Sequence, residues 1–238
     1  MTQEQVSIIR FDPHTGDSEL VAQLVLCFRR VFADPPWGEW LKCANPECGA
    51  TWGRHQAAEL AEIAFMHCGL GVIDFWDYAK VLRELRRDIT PDASCWIAVM
   101  TGGHNVRVVG FIWGMPLPCR WEFLPPGAQA ALRDRYGENV AHNTQFVYQA
   151  ELGVLTSQRR QGLARRLTTA RNRDFLSREC THGIIRALRD PQPSVTYVWY
   201  TKIGYEVIYE FPDSGYVLLA RALSPDMFSR KEDVAIQT

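Results

Sequence analysis

The sequence predicts a mixed α/β fold, and three features carry that expectation. Leu20, Leu24, Cys27, Phe28 and Val31 recur at helical spacing; two strand-like runs, Ser94 to Met100 and Val106 to Met115, flank Gly102-Gly103-His104-Asn105; and an alternating run, Gln145 to Val154, passes through a glycine-bearing turn into another helical pattern. The second feature reads as an antiparallel hairpin. The third reads as a strand feeding a helix.

Taken in order, Val6 to Phe11 has the apolar content of a first strand, and Asp17 or Ser18 can cap a helix that runs to Ala33. Asp34-Pro35-Pro36 ends it. Trp37 to Gly53 holds three tryptophans, two cysteines and several turn formers, and reads as a loop with local structure of its own. Helical patterns return at Arg54 to His67 and at Asp74 to Arg87. After the hairpin, Pro116 to Asn143 is a long connection with a short helical pattern around Gln129 to Tyr136. Long connections of this kind often form lids or binding loops. In the strand that follows, Glu151 falls with Gln145, Val147, Gln149 and Gly153 on one face. Arg159 to Ala164 then joins this strand to a helix whose Leu163, Leu167 and Ala170 form an apolar stripe.

Composition narrows the function classes. The chain has 238 residues, 47% of them hydrophobic, 22% charged and 11% aromatic, with a formal net charge of -1. That apolar content supplies a core rather than a solvated coil. A balanced charge gives no concentrated positive field for nucleic acid or an anionic membrane, so a small partner is expected. No run of about 20 apolar residues suggests a spanning helix, and the polar start from Met1 to Gln5 suggests no export signal, so a cytoplasmic location is expected. The seven cysteines, an odd number, point to reduced thiols rather than a disulfide framework. With no internal repeat, the simplest organisation is one domain over 1–238, with insertions at about 35–90 and 116–143.

The chemistry is concentrated in Arg159-Arg160-Gln161-Gly162-Leu163-Ala164. A helix N-terminus presents backbone N–H groups without intrahelical acceptors and carries partial positive charge, so a strand, glycine turn and helix in succession make an anion cradle. The stretch lacks the Gly-Lys-Ser/Thr ending of a P-loop and the three glycines of the dinucleotide fingerprint. Gly162 as an ordinary helix-start glycine is the competing reading.

With Arg159, Gly162 and Ala164 at its fixed positions, the stretch resembles Q/R-x-x-G-x-G/A, the pyrophosphate signature of the GNAT superfamily of acyl-CoA-dependent N-acyltransferases. Glu151-Leu152-Gly153-Val154 resembles that family's fourth strand, and Thr196 to Tyr205, ending in Tyr200-x-x-x-Gly204-Tyr205, resembles its late helix. The resemblance runs from about Gln145 to Ala222 and loosely takes in the first strand and helix and Val108 to Phe111. It implies a largely antiparallel sheet splayed at its centre, helices on both faces, and acyl-CoA bound at the splay. It further implies acetyl transfer from acetyl-CoA to a primary amine by direct attack in a ternary complex. Residues 159 to 164 would hold the pyrophosphate and Val154 would pair with the pantetheine amides. The N–H near Gly153 or Val154 would face the carbonyl oxygen, and Tyr200 would protonate the leaving thiolate. Glu151 would take the amine proton. Tyr200 as a packing aromatic, and Glu151 as a group that orients water or pairs with the amine, stand beside these roles. Two positions depart from the family pattern: Thr156 replaces a common proline, and Pro193 stands where an asparagine is often found. Arg160, Arg165 and Arg166 are candidate phosphate contacts or a solvated face.

Cys43-Ala-Asn-Pro-Glu-Cys48-Gly49 resembles half of a zinc knuckle, with His55, His67 or Cys68 able to complete a structural zinc site. Two reduced cysteines in a loop is the alternative. Cys27, Cys95 and Cys180 lie in apolar patterns and are expected to pack. Trp37, Trp40, Trp52, Phe75, Trp76 and Tyr78 fall in the region that would line the acceptor side, either as a core beneath an insertion or as a pocket for a small, partly apolar amine. From another class, a non-catalytic acyl-CoA-binding or zinc-bearing interaction module would keep the cradle without the chemistry.

Overall fold

The computed structural model describes residues 5–35, 37–60, 66–67, 70–102 and 105–224. β1 (Gln5–Arg10) leads to α1 (Ser18–Ala33); then come β2 (Leu41–Cys43), β3 (Thr51–Trp52), α2 (Arg54–Leu60), β4 (Met66–His67), β5 (Leu70–Asp74) and α3 (Tyr78–Asp88). β6 (Ser94–Gly102), β7 (Asn105–Pro116), α4 (Pro126–Tyr136), β8 (Phe146–Val154) and α5 (Leu163–Ser177) follow, and β9 (His182–Leu188), α6 (Val195–Lys202), β10 (Glu206–Glu210) and β11 (Tyr216–Ala222) complete the chain order.

The fold is mixed α/β, built on a largely antiparallel seven-stranded sheet flanked by helices, with strand order β1-β6-β7-β8-β9-β11-β10. β1 with β6, β9 with β11, and β10 with β11 pair antiparallel. β8 and β9 pair parallel through only Phe146 to Tyr148 against His182 to Ile184. Among the described residues no register continues between these two strands beyond Tyr148.

The chain divides into two compact units. The first comprises Met1–Pro91, Cys95–Ile112 and Leu152–Leu167. Its core joins Ala98, Met100, Val109, Ile112, Val154, Leu163 and Leu167, with Val6, Ile8 and Trp96 packed against them. Asp17 starts α1 by accepting from the N–H groups of Glu19 at 2.7 Å and Leu20 at 3.3 Å, which satisfies two donors the helix itself cannot. Leu24, Val25, Cys27, Phe28 and Val31 form its buried face. Burial pushes the thiols of Cys27 and Cys95 up, so both stay protonated packing groups. Phe28 lies 5.6 Å from Phe111 and 5.4 Å from Trp76, ring to ring.

The second unit comprises Asp92–Ser94, Trp113–Glu151 and Thr168–Thr238. Ile185, Ala187, Tyr200, Tyr205, Val217 and Leu219 form one core cluster, and Val147, Phe175, Cys180 and Leu223 another. The long connection after β7 is ordered by two 3₁₀ turns, Leu117–Phe123 and Glu138–His142, on either side of α4. Ser194 caps α6 by accepting from Tyr197 N–H at 3.1 Å, so Pro193 precedes the helix rather than opening it.

Three sequence expectations need correction. The Trp37 to Gly53 stretch is more than a loop: β2 and β3 form a hairpin, and a separate four-stranded sheet runs β3-β2-β5-β4. Of the helix expected over Arg54 to His67, Arg54–Leu60 is helical, Met66–His67 is strand, and 61–65 lie outside the described residues. The pattern from Asp74 splits into β5 and then α3, whose cap is Asp77, accepting from Lys80 N–H at 2.8 Å. Leu70-Gly-Val-Ile-Asp74 is too short for its apolar spacing to separate the two periods.

Candidate functional site

The turn at the end of β8 is built by backbone conformation. A short 3₁₀ turn, Thr156–Gln158, follows the strand, Arg159 is extended, and Arg160 and Gly162 then take left-handed φ values of 64° and 73°. A side chain at φ of this sign costs about 1–2 kcal/mol, so Gly162 is the residue this position favours and Arg160 holds strain. A Cβ on Gly162 would meet nothing within 4 Å. Its requirement is therefore conformational, not packing. The first intrahelical bond of α5 runs from Arg166 N–H to Gly162 carbonyl at 3.0 Å, which sets the N–H groups of Gly162, Leu163 and Ala164 ahead of the helical ladder. Arg159 Nε donates to the Val154 carbonyl at 3.2 Å and ties the turn to the strand end. Arg160 and Gln161 are exposed, while Leu163 is buried as the helix's first anchor.

Thr156 donates its hydroxyl to Asp34 Oδ2 at 2.7 Å, and Arg54 Nη2 lies 3.4 Å from the other oxygen. The carboxylate that ends α1 thus holds the start of the turn. Within the strand, Gly153 has a packing reason: a Cβ there would stand 2.3 Å from Phe111 Cζ. Gly153 and Val154 are buried.

In the second unit, Tyr200 is fully buried, with ring centroids 5.1 Å from Trp199 and 4.8 Å from Tyr205. Its hydroxyl accepts from Arg171 Nη2 at 3.1 Å. Gln149, read as part of a polar strand face, is buried, with Oε1 accepting from Tyr205 at 3.1 Å and Nε2 donating to Asn172 Oδ1 at 3.4 Å. Burial pushes the Tyr205 hydroxyl up. Glu151 is half-buried on the same strand. The sequence alone does not single out Arg171 and Asn172, and it places Gln149 only on a polar strand face; their spacing on helix and strand carries no signal that distinguishes a buried polar cluster from an exposed one.

The aromatic residues of 35–90 are largely engaged already. Phe28, Phe32, Trp37, Phe75 and Trp76 pack on one another, Arg29 lies over Trp40, and Lys80 lies 4.3 Å over Trp76. Trp76 Nε1 donates to Glu39 Oε2 at 2.9 Å, and burial raises this carboxyl above its ordinary range. Cys43 is buried and Cys48 half-buried in the β2–β3 hairpin; Asn45 N–H points to Cys43 Sγ at 3.4 Å, and Gly49 is left-handed. His55 is exposed, whereas Cys68 and the His67 side chain lie outside the described residues. Among the described residues no group of three or more His, Cys, Asp or Glu could hold a metal ion, and no helix is long and apolar enough to cross a membrane.

No family sequence model and no curated protein matches the chain. Solved structures do. The chain is similar to the PaiA N-acetyltransferase of Thermoplasma acidophilum in complex with coenzyme A, at 11% identity and TM-score 0.51, covering 92% of this chain and 99% of that one. It is also similar to an aminoglycoside 6'-N-acetyltransferase complexed with coenzyme A, at 14% identity, TM-score 0.51 and 92% and 98% coverage. The aminoglycoside 6'-N-acetyltransferase of Enterococcus faecium matches at 14% identity, TM-score 0.50 and the same two coverages. The chain shares its fold with these acetyltransferases.

Proposed function

We propose that this chain is an acyl-CoA-dependent N-acyltransferase that moves an acetyl group from acetyl-CoA to a small primary amine. The left-handed turn of Arg160 and Gly162, leading directly from β8 into α5, carries the reading. It holds N–H groups ahead of the helical ladder, with the positive end of a fifteen-residue helix behind them, which is what a pyrophosphate requires. Arg159 to Ala164 is the proposed pyrophosphate site, and the backbone of Gly153 and Val154 the pantetheine and carbonyl contact. Two structural relatives carry coenzyme A in their complexes, and one acts on an aminoglycoside, which supports both the cofactor and a small amine.

The chemistry follows from the groups assigned. The amine nitrogen attacks the thioester carbonyl carbon, the C–S bond breaks, and its electron pair goes to sulfur. Tyr200 gives its hydroxyl proton to that sulfur and is later reprotonated, while Glu151 takes a proton from the nitrogen. Acetyl-CoA and amine become amide and free CoA, with no acyl-enzyme. The proposed setting is intracellular. We further propose that Cys43 and Cys48 hold half of a structural zinc site, supported by the N–H directed at Cys43 sulfur. Zinc content of the purified chain near one per molecule, lost in Cys43→Ser, is the expected result; a metal-free chain with unchanged melting refutes it.

Thiol release from acetyl-CoA across a panel of primary amines, beside calorimetric titration of acetyl-CoA, tests the main reading. Turnover with one acceptor class and loss of turnover in Tyr200→Phe are expected. Binding without turnover across the panel would favour the non-catalytic acyl-CoA module, and no binding would overturn the cradle.

A further inference from the structure

Arg171, on α5, is fully buried, yet no carboxylate is bonded to it among the described residues. Its Nε and Nη2 lie 3.4 Å from Asn172 Oδ1, Nη2 donates to Tyr200 Oη at 3.1 Å, and Nη1 has no hydrogen-bond partner. A guanidinium taken out of water without a counter-charge is among the most expensive groups to bury. A purely structural contact to a tyrosine hydroxyl needs no fixed positive charge.

The directions of these bonds are set by chemistry. Guanidinium has only donors, so the Tyr200 oxygen must accept, and its own hydrogen points away from Arg171. Among the described residues that hydrogen meets no acceptor; the sole partner of Tyr200 Oη is Arg171. The rest of the cluster is linked in series: Tyr205 donates to Gln149, and Gln149 donates to Asn172, whose oxygen also faces Arg171. Tyr205 therefore has its proton committed, whereas Tyr200 does not. The network separates two adjacent buried tyrosines into one whose hydroxyl donates to Gln149 and one whose hydroxyl accepts from Arg171.

We propose that Arg171 is the positioning residue for the Tyr200 hydroxyl: its donated hydrogen bond fixes that hydroxyl as a proton donor, and its buried charge holds the phenolate left when the proton passes to the thiolate sulfur. This rests on the reading of Tyr200 as the proton donor. The proton balance is closed, because the O–H bond of Tyr200 breaks as the S–H bond of CoA forms, and the phenolate regains a proton from solvent before the next turnover. Arg171 keeps all its protons throughout.

The test is a double-mutant cycle on thiol release from acetyl-CoA, with the amine of the panel that supports turnover as acceptor. Arg171→Met should lower kcat by about 10- to 100-fold while KM for acetyl-CoA stays within about twofold, a part of the roughly 10²–10⁴-fold that a positioned general acid supplies. Arg171→Lys, which restores a charge and a donor, should recover a large part of that loss. In a Tyr200→Phe background Arg171→Met should change kcat by less than about twofold, since the group it acts through is gone. Melting curves and calorimetric affinity for acetyl-CoA identify any variant that has merely lost its fold, in which case Arg171→Lys decides alone. An unchanged kcat in Arg171→Met, or an equal loss with and without Tyr200, overturns the assignment of Arg171. An unchanged kcat in Tyr200→Phe overturns the proton-donor reading itself, and absence of turnover with every amine overturns the transferase reading.

Discussion

Gly153→Ala isolates a contact that is invisible along the chain. The added Cβ would stand 2.3, 2.7 and 2.9 Å from Phe111 Cζ, Cε1 and Cε2. Carbon pairs settle at about 3.5–4.0 Å, so the ring must retreat by roughly 1 Å. It has nowhere easy to go, because Phe111 is fully buried and stacks on Phe28 at 5.6 Å, with Phe28 in turn against Trp76. Overpacking of this kind costs about 1–3 kcal/mol. For a chain of this size each kcal/mol lowers the thermal midpoint by roughly 2–4 °C, so a fall of about 2–12 °C is expected. Thermal unfolding followed by circular dichroism measures it. Phe111→Leu in the same background supplies the specific control: if the ring is the obstacle, the two substitutions together cost less than their sum by at least about 1 kcal/mol. A Gly153→Ala midpoint equal to wild type, or strict additivity with Phe111→Leu, would refute the argument.

Three other outcomes follow from separate features. Gly162→Ala forces a side chain into φ 73° and should weaken acetyl-CoA binding by roughly 5- to 30-fold in calorimetry, the equivalent of about 1–2 kcal/mol; full affinity would remove the cradle's conformational basis. Thr156→Val deletes the hydroxyl bond to the buried Asp34 carboxylate and should cost about 1.5–3 kcal/mol in denaturant unfolding, a loss that shrinks when Asp34→Asn is already present. Glu39 has its carboxyl raised above the ordinary value by burial, so the folded chain binds more protons than the unfolded one across that window and stability falls as pH rises through it. Glu39→Gln, which can still accept from Trp76, should therefore raise the melting temperature at neutral pH and leave it nearly unchanged below the ordinary carboxylate range; a drop at neutral pH would show that the Trp76 bond and the Lys80 charge outweigh desolvation.

What could be read from the residues in order was whatever is decided locally. Asp17 caps its own helix within three residues, and the turn at Arg160 and Gly162 is a backbone demand that glycine spells out. What escaped depends on residues that meet only after folding. Thr156 looked like a loss of proline until Asp34, 122 positions earlier, supplied its partner. Gly153 invited a role in catalysis by its place in the strand, while the ring that demands it belongs to β7. Arg171 stood on an arginine-bearing helix, where exposure is the ordinary expectation, and its burial among Gln149, Asn172 and two tyrosines depends on which face of α5 turns inward. The small four-stranded sheet escaped for a different reason: three of its strands have two or three residues, at most one and a half repeats of their own period.

β8 offers a last consequence. Along nine residues it carries three fittings of different kinds: the short parallel pairing at Phe146 to Tyr148, the amide of Gln149 bound to Tyr205, and the bare position at Gly153 that admits the Phe111 ring. Sliding the strand by one residue would turn Gln149 and Gly153 to the wrong face, and sliding it by two would put Val147 or Glu151 in the place of Gln149 and Glu151 or Leu155 in the place of Gly153. The strand behaves like a key with three cuts. Length variation among descendants of this chain should therefore collect in the connections around residues 44–50 and 117–142, and a single insertion or deletion between Phe146 and Val154 should be incompatible with folding.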